Sequence, residues 1–193
     1  PVGVGIGDGC SRRPVPAIVT RAEGQLVQQI DGRPAVEVYL ERLGVAETDV
    51  EDFHAFAVEH PLAQPELSGD VRLRHVRDRD EDGALVMATH IPANAAVQFT
   101  DQSPLAIVRS AWNAVEGALA PLAGEPARAA LAFDCGGRRS ALGDALPQEA
   151  DAIRSSFGPE PPPVAGLFTH GEVGRVRGAK GDRNHALVVV AFA

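Results

Sequence analysis

Residues 129–143 read AALAFDCGGRRSALG: an apolar run, Ala129 to Phe133, ends on Asp134 and Cys135 and breaks at Gly136 and Gly137 into Arg138 and Arg139. A short apolar run closed by a glycine pair reads as a buried strand rather than a helix of that length. The strand therefore delivers a carboxylate and a thiol to its carboxyl end. The Gly136-Gly137 pair reads as a turn whose N–H groups point outward beside two guanidinium groups. Strands and helical segments surround this stretch on both sides, which sets the fold class as α/β (α+β): a mixed, largely antiparallel sheet covered by helices.

Towards the amino end, Gly3, Gly5, Gly7 and Gly9 alternate through VGVGIGDGC. Neither frame gives G-x-G-x-x-G, because Asp8 and Cys10 fall at the third glycine position, so a dinucleotide loop is rejected. Glycine alternating with Val and Ile marks a strand packed closely on another backbone. A hairpin follows, Ala17 to Arg21 and Gln25 to Ile30, turned at Glu23-Gly24. Pro34 opens a helix that Gly44 stops, with Val36, Leu40 and Leu43 on one face. Thr48 with Glu51 matches a capping box for a short helix through Phe53. Pro61 and Pro65 bound an irregular stretch. From Asp70 onward the spacing predicts a three-stranded meander, Val71 to Val76, Ala84 to Thr89 and Ala96 to Thr100. The run Asp78 to Asp82 forms its acidic turn.

Ser103-Pro104 caps the longest helix, to about Leu122, with Leu105, Val108, Trp112, Val115 and Leu119 on its expected buried face. After the quoted stretch the pattern gives a helix from about Gln148 to Phe157 and two strands, Val164 to Phe168 and Ala186 to Phe192. A polar loop, THGEVG to GDRN, joins these strands.

The chain has 193 residues, 45% of them hydrophobic, which is enough for one sizeable core. A formal charge of -8 argues against nucleic acid and anionic membrane surfaces as partners. No apolar run approaches the ~20 residues of a membrane-spanning helix, and the first residues lack a secretory pattern, so a cytoplasmic location is expected. Cys10 and Cys135 lie far apart and form no Cys-x-x-Cys pair, so both read as free thiols. No cofactor motif is found.

Several chemistries meet at the carboxyl end of the central strand. Asp134, Arg138 and Arg139 suit a zwitterion, the carboxylate taking an ammonium and an arginine fork gripping a carboxylate. The alternative is that Asp134 and Arg138 pair with each other. Cys135 with His170 as base, and the Gly136 and Gly137 amides as oxyanion donors, would make a thiol-dependent hydrolase, against the commoner fate of an inert buried thiol. Cys135, His170 and Glu172 lack the spacing of a metal site, and no metal is assigned. Glu172 reads either as a ligand contact, reached closely between Gly171 and Gly174, or as an ordinary turn carboxylate.

Four segments in order resemble the FIST sensory domain, mainly its C-terminal half: VTRAEGQLVQQIDGRPAVEVYLERL, DGALVMA, LAFDCGGRRSALG, and VAGLFTHGEVG before a last apolar strand. Asp134, Cys135, Arg138, Leu142 and Gly143, with Gly171 and Glu172, carry the likeness most strongly. Residues 1–32 resemble the end of the family's N-terminal half and 33–193 its C-terminal half. The resemblance implies an intracellular signal-transduction domain that binds a small polar ligand, with amino acids as the suggested class. Its output domain or protein partner would lie outside this chain, and no catalysis is implied. Together with the chemistry of these residues, it makes the expected ligand-binding set Asp134, Cys135, Gly136, Gly137, Arg138, His170, Gly171, Glu172 and Asn184. Here Arg183 precedes Asn184 and the histidine follows as His185, a departure from the family's His-Asn order. A protein-interaction module without a small ligand is the third reading.

Overall fold

The computed structural model describes residues 1–66, 69, 71–176 and 179–193, with backbone alone over 173–176 and 179–180. In chain order the elements begin with β1 (Val2–Gly7), β2 (Cys10–Arg12), β3 (Ala17–Glu23), β4 (Leu26–Ile30), β5 (Arg33–Pro34), α1 (Ala35–Leu43) and α2 (Phe53–Val58). Next come β6 (Leu62–Pro65), β7 (Val71–Arg74), β8 (Val76–Arg79), β9 (Leu85–Met87), β10 (Ala96–Gln102) and α3 (Pro104–Leu119). The chain closes with β11 (Ala129–Cys135), α4 (Gly136–Leu142), α5 (Leu146–Ser155), β12 (Val164–Thr169), β13 (Glu172–Val176), β14 (Ala179–Arg183) and β15 (Leu187–Phe192). The fold is mixed α and β with largely antiparallel pairing, as the sequence implies.

Two compact units share the chain: Pro1–Cys10 with Gln102–Ala193, and Ser11–Asp101. A cut at residue 32 coincides with neither, because β1 pairs with the last strand β15 while the β3–β4 hairpin joins the second unit.

In the first unit the described strands run β1-β15-β11-β12. Pairing is antiparallel except between β11 and β12, which are parallel. α3 lies on β1 so closely that a methyl on Gly3 would stand 1.8 Å from the Ala118 carbonyl oxygen, and one on Gly7 2.1 Å from that of Ser110. The alternating glycines are therefore what lets a helix backbone rest on a strand backbone. That contact also decides which face of α3 is buried. Ile107, Ser110, Ala111, Ala114, Val115 and Ala118 face the sheet, while Leu105 and Trp112 are 63% and 54% exposed. Of the expected stripe, Val115 is buried and Val108 and Leu119 pack partly buried against the core, while Leu105 and Trp112 are corrected: small residues are required where the backbones approach. The core on this sheet face adds Ala132, Leu187, Val189 and Ala191 from the strands and Ala152 and Ile153 from α5. On the opposite face Val2, Val4, Leu131 and Leu167 are exposed.

The second unit has the strand path β7-β6-β10-β3-β4-β9-β8. Its core gathers Val36, Leu40 and Leu43 of α1, as expected, with Tyr39, Phe53 and Phe99. Gly44 ends α1 in the left-handed region at φ 73°, where glycine carries no Cβ penalty.

Three local expectations are corrected in this unit. The Thr48–Glu51 box does not form; Asp52 caps α2 by accepting the Ala55 N–H at 3.0 Å. The stretch between Pro61 and Pro65 is strand β6. The meander is broken, because β10 pairs with β3 and β6 rather than β9, and β7 and β8 divide at His75 to join different neighbours. Asp70, at which the meander was expected to open, lies outside the described residues.

The polar loop before the last strand is a β13–β14 hairpin, with Arg177 and Gly178 outside the described residues.

Candidate functional site

β11 ends where the sequence places its chemistry, but strand alternation sends the two reactive groups to opposite faces. Asp134 lies on the face of Ala132, towards α5, and Cys135 on the face of Phe133. The nine residues expected to form one ligand site therefore do not form one cluster: Asp134 and Arg138 belong to one group, and Cys135, Gly171 and Glu172 to another.

The first cluster is built on Arg138, which is buried completely. Its Nε donates to Asp134 Oδ1 at 3.0 Å, and Nη1 to the Asp8 carbonyl at 3.0 Å and Ser110 Oγ at 3.0 Å. Nη1 also reaches the Gly7 carbonyl at 3.3 Å, and Nη2 donates to the Ile107 carbonyl at 3.3 Å and to Glu149 Oε1. The guanidinium is committed to protein acceptors and does not stand open as a fork for a ligand carboxylate. Its role is to tie β1, α3, β11 and α5 together; burial without such partners would cost several kcal/mol.

Two carboxyl groups share this single guanidinium. Burial raises the Asp134 pKa to about 8 despite the opposing pull of Arg138, and the negative Glu149 beside it adds to the rise. Asp134 is thus largely protonated at neutral pH. Glu149 is 2% exposed, and its Oε2 accepts no hydrogen bond from a fixed donor among the described residues.

Sequence reasoning missed Glu149. The available signal was its phase on α5: it lies three residues after Leu146 and four before Ile153, so a carboxylate sits on the helix's apolar face.

Along this cluster runs a groove of about 440 Å³ between α5 and the parallel β11–β12 pair. Ala132, Leu146, Ile153, Val164 and Phe168 give it apolar walls, and Asp134 and Glu149 are its buried polar groups. Gly166 lines it too, on the strand face where a methyl would stand 3.0 Å from the Ala132 carbonyl oxygen. Arg139 lies over the Phe168 ring, 5.3 Å from its centroid.

The second cluster surrounds Cys135. Glu172 is buried, with Oε1 accepting from Thr169 Oγ1 at 2.5 Å and from the Gly171 N–H at 3.3 Å. Burial raises its pKa, partly offset by the Thr169 hydroxyl. The Cys135 thiol is pushed up to about 11, first by burial and then by the Glu172 charge, so it carries almost no thiolate near neutrality. Gly171 has φ 129°, in the region that favours glycine. A cavity of about 160 Å³ lies here between Phe133, Thr169, Gly171, Glu172 and Val188.

His170 is exposed beside Gly136, and no hydrogen bond joins it to Cys135 among the described residues. Asn184 and His185 are buried. The His185 ring explains Gly137, where a methyl would come within 2.8 Å of its Cε1. Gly136 and Gly137 are consequently the first turn of α4 rather than a separate outward turn. No group of three or more metal-ligating side chains occurs among the described residues, and no helix there is long and apolar enough to cross a membrane.

Residues 35–175 match the family model of the FIST C domain. The chain is 31% identical over 180 residues to the uncharacterised protein Rv0628c of Mycobacterium tuberculosis, covering 90% of this chain and 46% of that protein. It is 28% identical over the same length and shares to the uncharacterised protein Mb0898c of Mycobacterium bovis. The chain thus spans about half the length of these relatives. No solved structure matches it. The matched span takes in the strand, glycine pair and arginines that build the site, and the chain belongs to the FIST C domain family, a family of sensory and signal-transduction domains.

Proposed function

We propose that this chain is the ligand-sensing part of a signalling protein, with its ligand seated in the groove between α5 and the β11–β12 pair. The observation that carries this reading is the groove itself: about 440 Å³ of apolar wall with a small number of buried polar groups, the composition typical of small-molecule sites. It lies along a parallel strand pair whose carboxyl end carries Asp134, the kind of position where ligands gather in open sheets. A small metabolite with a polar end, amino acids included, is the ligand class. Asp134 is its main contact, while Arg138 positions Asp134 and does not itself touch the ligand.

The ligand would bridge α5 and β12 and shift the population of their closed arrangement, which a partner domain or protein outside this chain reads. A cytoplasmic setting accords with the acidic charge and with two cysteines that form no disulfide. The hydrolase reading loses support because the Cys135 thiol is buried and protonated and is not hydrogen-bonded to His170 among the described residues.

A thermal-shift screen against amino acids and other small metabolites tests the proposal, run on the chain and on Ala150→Trp. Ala150 is exposed and lines the groove, so the larger ring fills it without entering the core. A ligand at 100 times its dissociation constant stabilises by about 2.7 kcal/mol. A hit that Ala150→Trp abolishes supports the groove. A flat screen, or a shift of equal size in the variant, overturns it.

A further inference from the structure

We infer that the groove takes the ammonium end of an apolar amine, seated between Asp134 and Glu149, with its hydrocarbon body along Leu146, Ile153 and Phe168. This deepens the sensing proposal and rests on it.

The first reason is a charge count. Arg138 is the buried cation between two carboxyl groups, donating to Asp134 Oδ1 and Glu149 Oε1. With both ionised, one negative charge stays uncompensated. Glu149, 2% exposed, keeps Oε2 without a fixed donor among the described residues, although it lines the groove. The proton held by Asp134 is the available neutraliser. A ligand ammonium offers three donors and a full positive charge in its place.

The second reason is the lining. Beyond the two carboxyl groups the walls are apolar, apart from Arg154, which is exposed. An alkyl or aryl body is favoured there, and an anion at the buried end meets like charge.

Proton balance follows from these groups. Arg138 of α4 and Glu149 of α5 are the charged groups at Asp134, while Arg154 of α5 lines the groove and Arg139 of α4 lies over the Phe168 ring beside it. α3 presents the Ser110 hydroxyl, β15 presents Leu187, β12 presents Phe168, and the end of β1 presents the Gly7 and Asp8 carbonyls to Arg138. The Asp8 carboxylate instead accepts the Cys10 N–H at 3.4 Å. An amine enters as R–NH3⁺, Asp134 gives its proton to solvent, and the ion set becomes two carboxylates with two cations. Because Asp134 sits at about 8, binding at pH 7 releases up to one proton per ligand, and the release vanishes well above pH 8.

The experiment is isothermal titration of the chain at pH 7 with n-butylamine, n-hexylamine and n-octylamine, and with hexanol and hexanoate. It is run in two buffers of different ionisation enthalpy. The amines should bind, with affinity rising about fourfold per methylene and with proton release. Ala150→Trp should weaken hexylamine at least tenfold. Asp134→Asn, close in shape, should abolish the proton release; its thermal unfolding is checked alongside. Hexanol or hexanoate binding as tightly as hexylamine would overturn the amine class while leaving the groove standing. Hexylamine binding undiminished in a folded Ala150→Trp protein overturns the groove as the seat. Absence of heat with every compound overturns both.

Discussion

Gly5 stands against the backbone of Ala114 so tightly that a methyl on the glycine would lie 1.9 Å from the Ala114 carbonyl oxygen. That oxygen belongs to a helix and cannot swing aside as a flexible side chain does. Gly5→Ala should therefore push α3 off β1 and destabilise the first unit by roughly 1–3 kcal/mol, the usual range for overpacking a tight interior. Urea unfolding checks this, with the midpoint expected to fall at unchanged slope. Gly24→Ala is the comparison, since nothing lies within 4 Å of a methyl there. Gly24 has φ 56°, so a smaller cost of backbone origin is expected.

The glycine alternation was legible because it breaks an ordinary strand pattern in a way that sterics explain. The partner face of α3 was not. Leu105 and Trp112 fit a helical stripe by hydropathy, but the glycines demand alanine and serine opposite them, and no helix-wide count of large residues registers that demand. Asp134 and Arg138 were legible as a pair from one segment, whereas Glu149 completes the site from a helix whose approach depends on tertiary packing. The place of β10 between β6 and β3 was hidden for a similar reason: neighbouring strands in sequence need not pair.

Removing Arg138 should be among the most costly substitutions in the first unit. Arg138→Met leaves Asp134 and Glu149 facing each other without their cation and frees acceptors on Gly7, Asp8 and Ile107. A loss of about 3–5 kcal/mol is expected for breaking a buried pair from one side. Arg138→Lys should recover only part of it, because a point charge cannot reproduce the planar fork. Adding Asp134→Asn and Glu149→Gln to Arg138→Met should restore stability relative to the single variant. Denaturant unfolding of the series gives the coupling directly.

The raised pKa of Asp134 makes stability pH-dependent in a stated direction. Its ordinary value of 3.8 rises to about 8 in the fold, so the folded state holds a proton that the unfolded chain releases. The stabilisation is fully present below about pH 4 and is lost as the pH climbs through about 8. Wild type should therefore lose more stability between pH 5 and pH 9 than Asp134→Asn, whose amide does not titrate. An equal loss of unfolding free energy in the two proteins, measured by urea unfolding at pH 5, 7 and 9, would contradict the protonated carboxyl.

Cys135 and Cys10 should differ in reactivity although neither is in a disulfide. Alkylation proceeds through the thiolate, and a thiol at about 11 has on the order of one part in a thousand ionised at pH 8. Burial against Glu172 slows it further by excluding the reagent. Cys10 is half-buried, so iodoacetamide at pH 8 should label it first. Mass mapping after timed quenching should find Cys135 modified only slowly, and in urea the two sites should react at similar rates. Glu172→Gln removes the carboxylate charge that helps hold the thiol protonated, so it should quicken Cys135 labelling without altering Cys10. Rapid labelling of Cys135 in the folded wild type would instead require an activated thiol and would return weight to covalent chemistry at this strand end.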